Sequence, residues 1–115
     1  MNILSIGSKI TLRKISEEIA DKVESINFLD TTTNNFLNWG LSKTKKINYY
    51  SGDITKIDTL INAGLNDSDI IIVHSENDME SLFIAQKSKI NPNSLIFVIL
   101  EDLSLAEIFE SLGFI

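Results

Sequence analysis

Apolar and polar positions along the chain alternate between two periods, and the switch recurs five times. Short apolar, β-rich runs stand at Asn2–Ile6, Ile26–Leu29, Ile47–Tyr50, Ile70–Val73 and Leu95–Leu100, a composition that reads as strands. Helical patterns fill the intervals. Ile15, Ile19 and Val23 recur four apart and predict a helix over Ile10–Val23 with those residues on one face. Thr31, Thr32 and Thr33 offer capping hydroxyls to a short second helix that carries Phe36, Leu37 and Trp39 and ends at Gly40. A third helix over Lys56–Ala63 buries Ile57, Leu60 and Ile61, with Gly64 at the left-handed position beyond it. The fourth runs from Asp78 to Lys89, and Pro92 forbids its continuation. The fifth begins at a Ser104–Glu107 capping box, uses Leu105, Ile108, Phe109 and Leu112, and stops at Gly113.

A run as continuously apolar as Ile70–Val73 suits a strand covered on both faces, and strand–helix alternation implies right-handed βαβ units. The expectation is one α/β domain over residues 1–115: a Rossmann-like doubly wound parallel β-sheet in a three-layer αβα sandwich. Ligands in such folds sit outside the carboxyl ends of the strands, where strand order reverses. That rule singles out Gly7–Lys9, Asp30–Thr31, Gly52–Asp53, His74–Asp78 and Glu101–Asp102.

Composition narrows the function. A hydrophobic share of 43% with 23% charged residues is that of a folded globular chain. At 115 residues there is room for one domain, not for a nucleotide domain with a catalytic partner, which weighs against a complete dehydrogenase; no proton relay of the Tyr/Lys or His/Asp kind is present, and no enzyme is expected. The absence of cysteine excludes disulfides and thiolate metal sites, and His74, the single histidine, does not make a metal site alone. A formal net charge of −6 opposes nucleic-acid binding. Every apolar run is far shorter than the roughly 20 residues of a membrane span. A cytoplasmic protein with no direct membrane insertion is expected. Glu76, Asp78 and Glu80 suit a helix start, where the dipole favours negative charge. Lys43-Thr44-Lys45-Lys46 reads as a solvated loop. Leu82, Phe83, Ile84 and Ala85 run around more than one face of the fourth helix, which suggests a homodimer contact there.

The chemistry gathers at the expected carboxyl edge. Gly7 ends the first strand and Asp30 closes the second roughly 20 residues later, the spacing at which an acidic side chain meets ribose hydroxyls in dinucleotide sites. The glycine pattern is broken, because Lys9 and Leu12 stand where the second and third glycines belong. Lys9 is either a point charge for phosphate or a solvated lysine in a decayed site. Asp30 is either the ribose acceptor or an Asx cap for the Thr31–Thr33 turn. Asp53 suits a site residue or a helix cap. His74 suits a cleft residue or a hydrogen-bonded strand end.

Ser51-Gly52-Asp53-Ile54-Thr55, Leu60-Ile61-Asn62-Ala63-Gly64-Leu65, Asp67-Ser68-Asp69-Ile70-Ile71-Ile72-Val73, Leu105-Ala106-Glu107-Ile108-Phe109 and Leu112-Gly113 form an ordered series along the chain. The series resembles the N-terminal domain of the regulator-of-potassium-conductance (RCK) family, the NAD-binding domain of Trk-type potassium uptake systems. The resemblance implies a nonenzymatic sensor of adenine nucleotide or NAD(H). It also implies a homodimer or higher ring that gates a membrane potassium channel or transporter. By position it places Gly7, Ser8 and Lys9 at the phosphate turn and Asp30 and Thr31 at the ribose. Asp53 and Ile54 border the adenine, and His74 and Ser75 line the far side of the cleft. Besides Lys9 and Leu12, three features depart from the family. Ile99 replaces a common arginine, Ser81 replaces a common asparagine, and the chain ends where family members continue into a crossover helix and a ligand-binding domain. The competing expectation is an interaction module of the same shape that binds no nucleotide. A phosphoacceptor receiver domain is excluded, since Gly7-Ser8 and Glu101-Asp102 stand where its acidic pair and lysine would be.

Overall fold

The computed structural model describes residues 1–37, 39 and 47–115. Five parallel strands, β1 (Asn2–Ile6), β2 (Ser25–Asp30), β3 (Ile47–Ser51), β4 (Ile70–Val73) and β5 (Leu95–Val98), form one sheet in the order β3-β2-β1-β4-β5. Ile3 pairs with Ile26 on one side and Ile70 on the other, so β1 is central and strand order reverses between β1 and β4. Helices α1 (Ile10–Ile19), α2 (Ile57–Asn62), α3 (Asp78–Ser88) and α4 (Ala106–Ser111) connect or follow the strands. This is the expected Rossmann-like αβα arrangement.

Strand alternation divides the core into two clusters, one on each face of the sheet. Leu4, Ile6, Ile71 and Val73 pack with Leu60 of α2, Ile84 of α3 and Phe109 of α4. Ile3, Ile26 and Phe28 pack with Leu12 of α1, Phe36 and Trp39. The Phe28 and Trp39 ring centroids lie 4.9 Å apart at 76°, and those of Phe36 and Trp39 4.9 Å apart at 85°. Edge-to-face pairs of this kind add about 0.5–1.5 kcal/mol each beyond area burial.

Several expected elements differ in detail. The first helix is α-helical only to Ile19; Ala20–Lys22 tighten into a 3₁₀ turn and Val23 leaves in extended conformation. Leu12 and Ser16 are its fully buried residues, Ile19 is half-buried against the same cluster, and Ile15 is exposed at the edge of that face. Ile15 and Ile19 border an apolar groove of about 310 Å³, with Ile70, Ile72, Phe97 and Ile99 opposite. The short second helix is a 3₁₀ turn, Thr33–Phe36, whose cap is Thr32 accepting from the Asn34 amide at 3.2 Å. Leu37 is exposed, while Phe36 and Trp39 are buried. Gly40 and Lys43–Lys46 lie outside the described residues. Ile61 sits on the solvent side of α2 although Leu60 is fully buried. The Ser104–Glu107 capping box does not form. Asp102 takes the role, accepting from the Ser104 amide at 3.0 Å and its hydroxyl at 2.7 Å, because a 3₁₀ turn over Leu103–Leu105 precedes α4. Among the described residues, no helix is long and apolar enough to cross a membrane.

Candidate functional site

The reversal point between β1 and β4 opens into a cleft of about 100 Å³ at the carboxyl edge of the sheet. Gly7, Ser8, Lys9, Asp30, Thr31, Ile54, His74 and Ser75 all border it. Asp53, the remaining expected site residue, is not among the residues that border it. Its carboxylate accepts from the Thr55 amide at 3.0 Å and the Thr55 hydroxyl at 2.6 Å, and these bonds hold it below the usual carboxylate range.

The floor of the cleft is backbone. Gly7 has φ +115°, and its amide donates to the Leu29 carbonyl at 2.8 Å. A Cβ at this position would lie 1.9 Å from the His74 carbonyl oxygen, so only glycine lets the turn close against the end of β4. The chain then enters α1 with Lys9 as N-cap. Lys9 supplies no side-chain acceptor to the first turn, which leaves those amides free to donate to an anion.

Asp30 closes the second side. It is 7% exposed and accepts from the Thr31 amide at 2.7 Å, from Asn35 Nδ2 at 2.9 Å and from the Ser8 hydroxyl. Both sequence-level readings of Asp30 therefore have structural content. It ties the following turn to the end of β2 through Thr31 and Asn35, although Thr32 is the cap, and a carboxylate with about four lone-pair sites retains acceptor capacity toward the cleft. Thr31 is exposed beside it, and Ile54 supplies a buried apolar wall.

The third side is the exit of β4. His74 is 4% exposed, and its amide extends the β1–β4 ladder by donating to the Ile6 carbonyl at 2.9 Å. Ser75 is held by Ser81: its amide donates to the Ser81 hydroxyl at 3.0 Å, and the two hydroxyls are 3.1 Å apart. Ser81 thus organises the loop from inside. Asn77 caps α3 by accepting from the Glu80 amide at 2.8 Å.

The acidic rim was not assigned to the site from sequence. Glu76 and Glu80 border the cleft directly. Glu101, after β5, reaches Lys9 Nζ and His74 Nε2, each at 2.9 Å from its Oε1. The hydrogen bond from His74, and after it that from Lys9, hold the Glu101 carboxyl below the usual range, and Glu101 in turn raises Lys9. The carboxyl-edge rule names the Glu101 segment, but a pair 92 positions apart leaves no local trace in the sequence.

Residues 8–115 match the family model of the TrkA-N domain. Among solved structures, the chain is similar to the AMP-bound form of the Shewanella denitrificans Kef CTD, with 17% identity and a TM-score of 0.79 over 98% of this chain and 67% of that one. It is similar to the GsuK channel bound to NAD, at 12% identity and a TM-score of 0.78 over 98% of this chain. Its length spans only 20% of that channel chain. The TrkA-N domain of the inner membrane protein ybaL from Escherichia coli matches at 13% identity and a TM-score of 0.71, over 97% of this chain and 96% of that one. At these identities the likeness establishes the fold. No curated protein matches the chain.

Proposed function

The chain belongs to the TrkA-N domain family, and on that premise we propose that it is a nonenzymatic regulatory domain that binds an adenine nucleotide or NAD(H) and reports its occupancy to a membrane potassium channel or transporter. The observation that carries the reading is Asp30: a buried carboxylate at the carboxyl end of β2, joined by Ser8 to the glycine turn of β1 at the point where strand order reverses. The residues fit a nucleotide. Gly7 and the uncapped first turn of α1 suit phosphate, Asp30 suits ribose hydroxyls, and Ile54 offers an apolar wall to the base. The AMP-bound Kef CTD and the NAD-bound GsuK channel support this ligand class.

The reading extends to a nucleotide domain over residues 1–115 that works on the cytoplasmic side, within a larger gating assembly. Two copies would pair through α3, where Met79 and Phe83 are exposed while Ile84 and Ala85 are buried. The test is calorimetric titration with AMP, ADP, ATP, NAD and NADH. At least one binds, and Asp30→Ala weakens it about tenfold or more, equivalent to about 1.4 kcal/mol, with the circular dichroism spectrum retained. A second reading, an interaction module that binds no nucleotide, is favoured by the pairing of Lys9 with Glu101 and by the three donors already on Asp30. Absence of binding by all five compounds at millimolar concentration establishes that second reading instead.

A further inference from the structure

The loop after β5 is held more firmly than its exposure suggests. The amides of Glu101 and Asp102 donate to the two carboxylate oxygens of Asp78, each at 2.9 Å, so the first residue of α3 clamps the loop. The Glu101 side chain is then fixed by two donors on one oxygen, Lys9 Nζ and His74 Nε2. His74 is a rigid anchor, because its ring is buried and its amide belongs to the β1–β4 ladder. An ionised carboxylate only accepts, so Nε2 is the nitrogen that donates to Glu101, while Nδ1 is buried with no partner.

Lys9 is the sole Lys or Arg bordering the cleft among the described residues, against Asp30, Glu76 and Glu80 in the same lining and Glu101 paired with the lysine itself. A phosphate entering this surround needs the lysine, and the lysine is engaged. We propose that Glu101 is a latch that competes with ligand phosphate for Lys9, and so sets the cleft's affinity for phosphorylated ligands. Removing the Glu101 charge frees Lys9 for the phosphate; it changes nothing if Lys9 is absent. The inference rests on the nucleotide reading above, and deepens it by naming the residue that tunes the site.

A double-mutant cycle tests it, with AMP as the probe and calorimetry as the readout on wild type, Glu101→Gln, Lys9→Met and the double variant. Glutamine keeps the size and an acceptor oxygen but not the charge. The expected result is that Glu101→Gln binds AMP about three- to fivefold more tightly in the Lys9 background, the scale of releasing one partly exposed ion pair. In the Lys9→Met background the same substitution gives no gain. An equal gain in both backgrounds means that Glu101 merely repels phosphate through space, and overturns the latch. So does an unchanged or weaker affinity in Glu101→Gln. If AMP binds none of the four proteins, and neither ATP nor NAD binds wild type, the nucleotide reading itself falls and takes the latch with it.

Discussion

Replacing Gly7 by alanine attacks the floor of the cleft with one methyl group, and the structure gives the scale of the damage. The φ of +115° costs an L-residue about 1–2 kcal/mol on conformational grounds. The added Cβ also lands 1.9 Å from the His74 carbonyl oxygen and 2.9 Å from its carbon, both backbone atoms. Neither side can retreat freely. Gly7 is tied to Leu29 at 2.8 Å, and His74 is tied to Ile6 at 2.9 Å. Relief therefore breaks at least one ladder bond, about 0.5–1.5 kcal/mol net, and opens the packed seam between β1 and β4. These two parts come to about 1.5–3.5 kcal/mol, and the packing lost along the seam brings the total to about 3–5 kcal/mol, a large part of the roughly 5–15 kcal/mol typical of a domain. Urea unfolding followed by Trp39 emission measures it. With a denaturant slope of about 2 kcal/mol per molar, the midpoint falls by about 2 M. Gly113→Ala is the control, since Gly113 has φ +90° but a Cβ there would meet only the flexible Lys89 amine, at 3.8 Å. It should lose only the conformational part, about 1–2 kcal/mol. A Gly7→Ala loss no larger than that of Gly113→Ala would refute the clash argument.

Two further outcomes follow from polar contacts. Asn91→Ala should cost about 2–3 kcal/mol in the same urea experiment, because the buried Asn91 amide serves the Leu65 and Ser68 carbonyls at 2.8 and 2.9 Å and leaves both without that donor; a loss under about 0.5 kcal/mol would contradict this. Glu101 is held below its ordinary value of 4.5 by His74 first and Lys9 second, so its contribution to stability is complete above that value and is lost as pH falls through the lowered one. Stability measured between about pH 6 and pH 3 should therefore decline more gently in Glu101→Gln than in wild type, and parallel acid limbs would count against the pairing.

The sheet was legible because each strand carries its own local mark, as with the four β-branched or apolar residues of Ile70–Val73. Gly7, Asp30 and His74 were legible for the same reason, since strand ends in this fold converge on one edge. What failed was anything decided by tertiary neighbours. The four-residue spacing of Ile15 and Ile19 marks the right side of α1, but the sheet meets that side along Leu12 and Ser16, leaving Ile19 half-buried and Ile15 exposed at the edge. Ser104 and Glu107 have the capping-box spacing, yet Asp102 is closer to the free amide once the chain tightens into a 3₁₀ turn. The Lys9–Glu101–His74 group joins three loops distant in sequence, and no window along the chain contains it.

The apolar groove beside α1 has a practical bearing on how this protein is assayed. Environment-sensitive dyes brighten wherever they find a dry concavity, and Ile15, Ile19, Phe97 and Ile99 offer one to the native fold. A dye-based melting curve would then start from a bright baseline, and a small ligand-induced displacement would be hard to separate from dye leaving the groove. Trp39 gives a cleaner readout. It is the sole tryptophan, it is buried, and it is wedged between Phe28 and Phe36 on the part of the sheet away from that concavity.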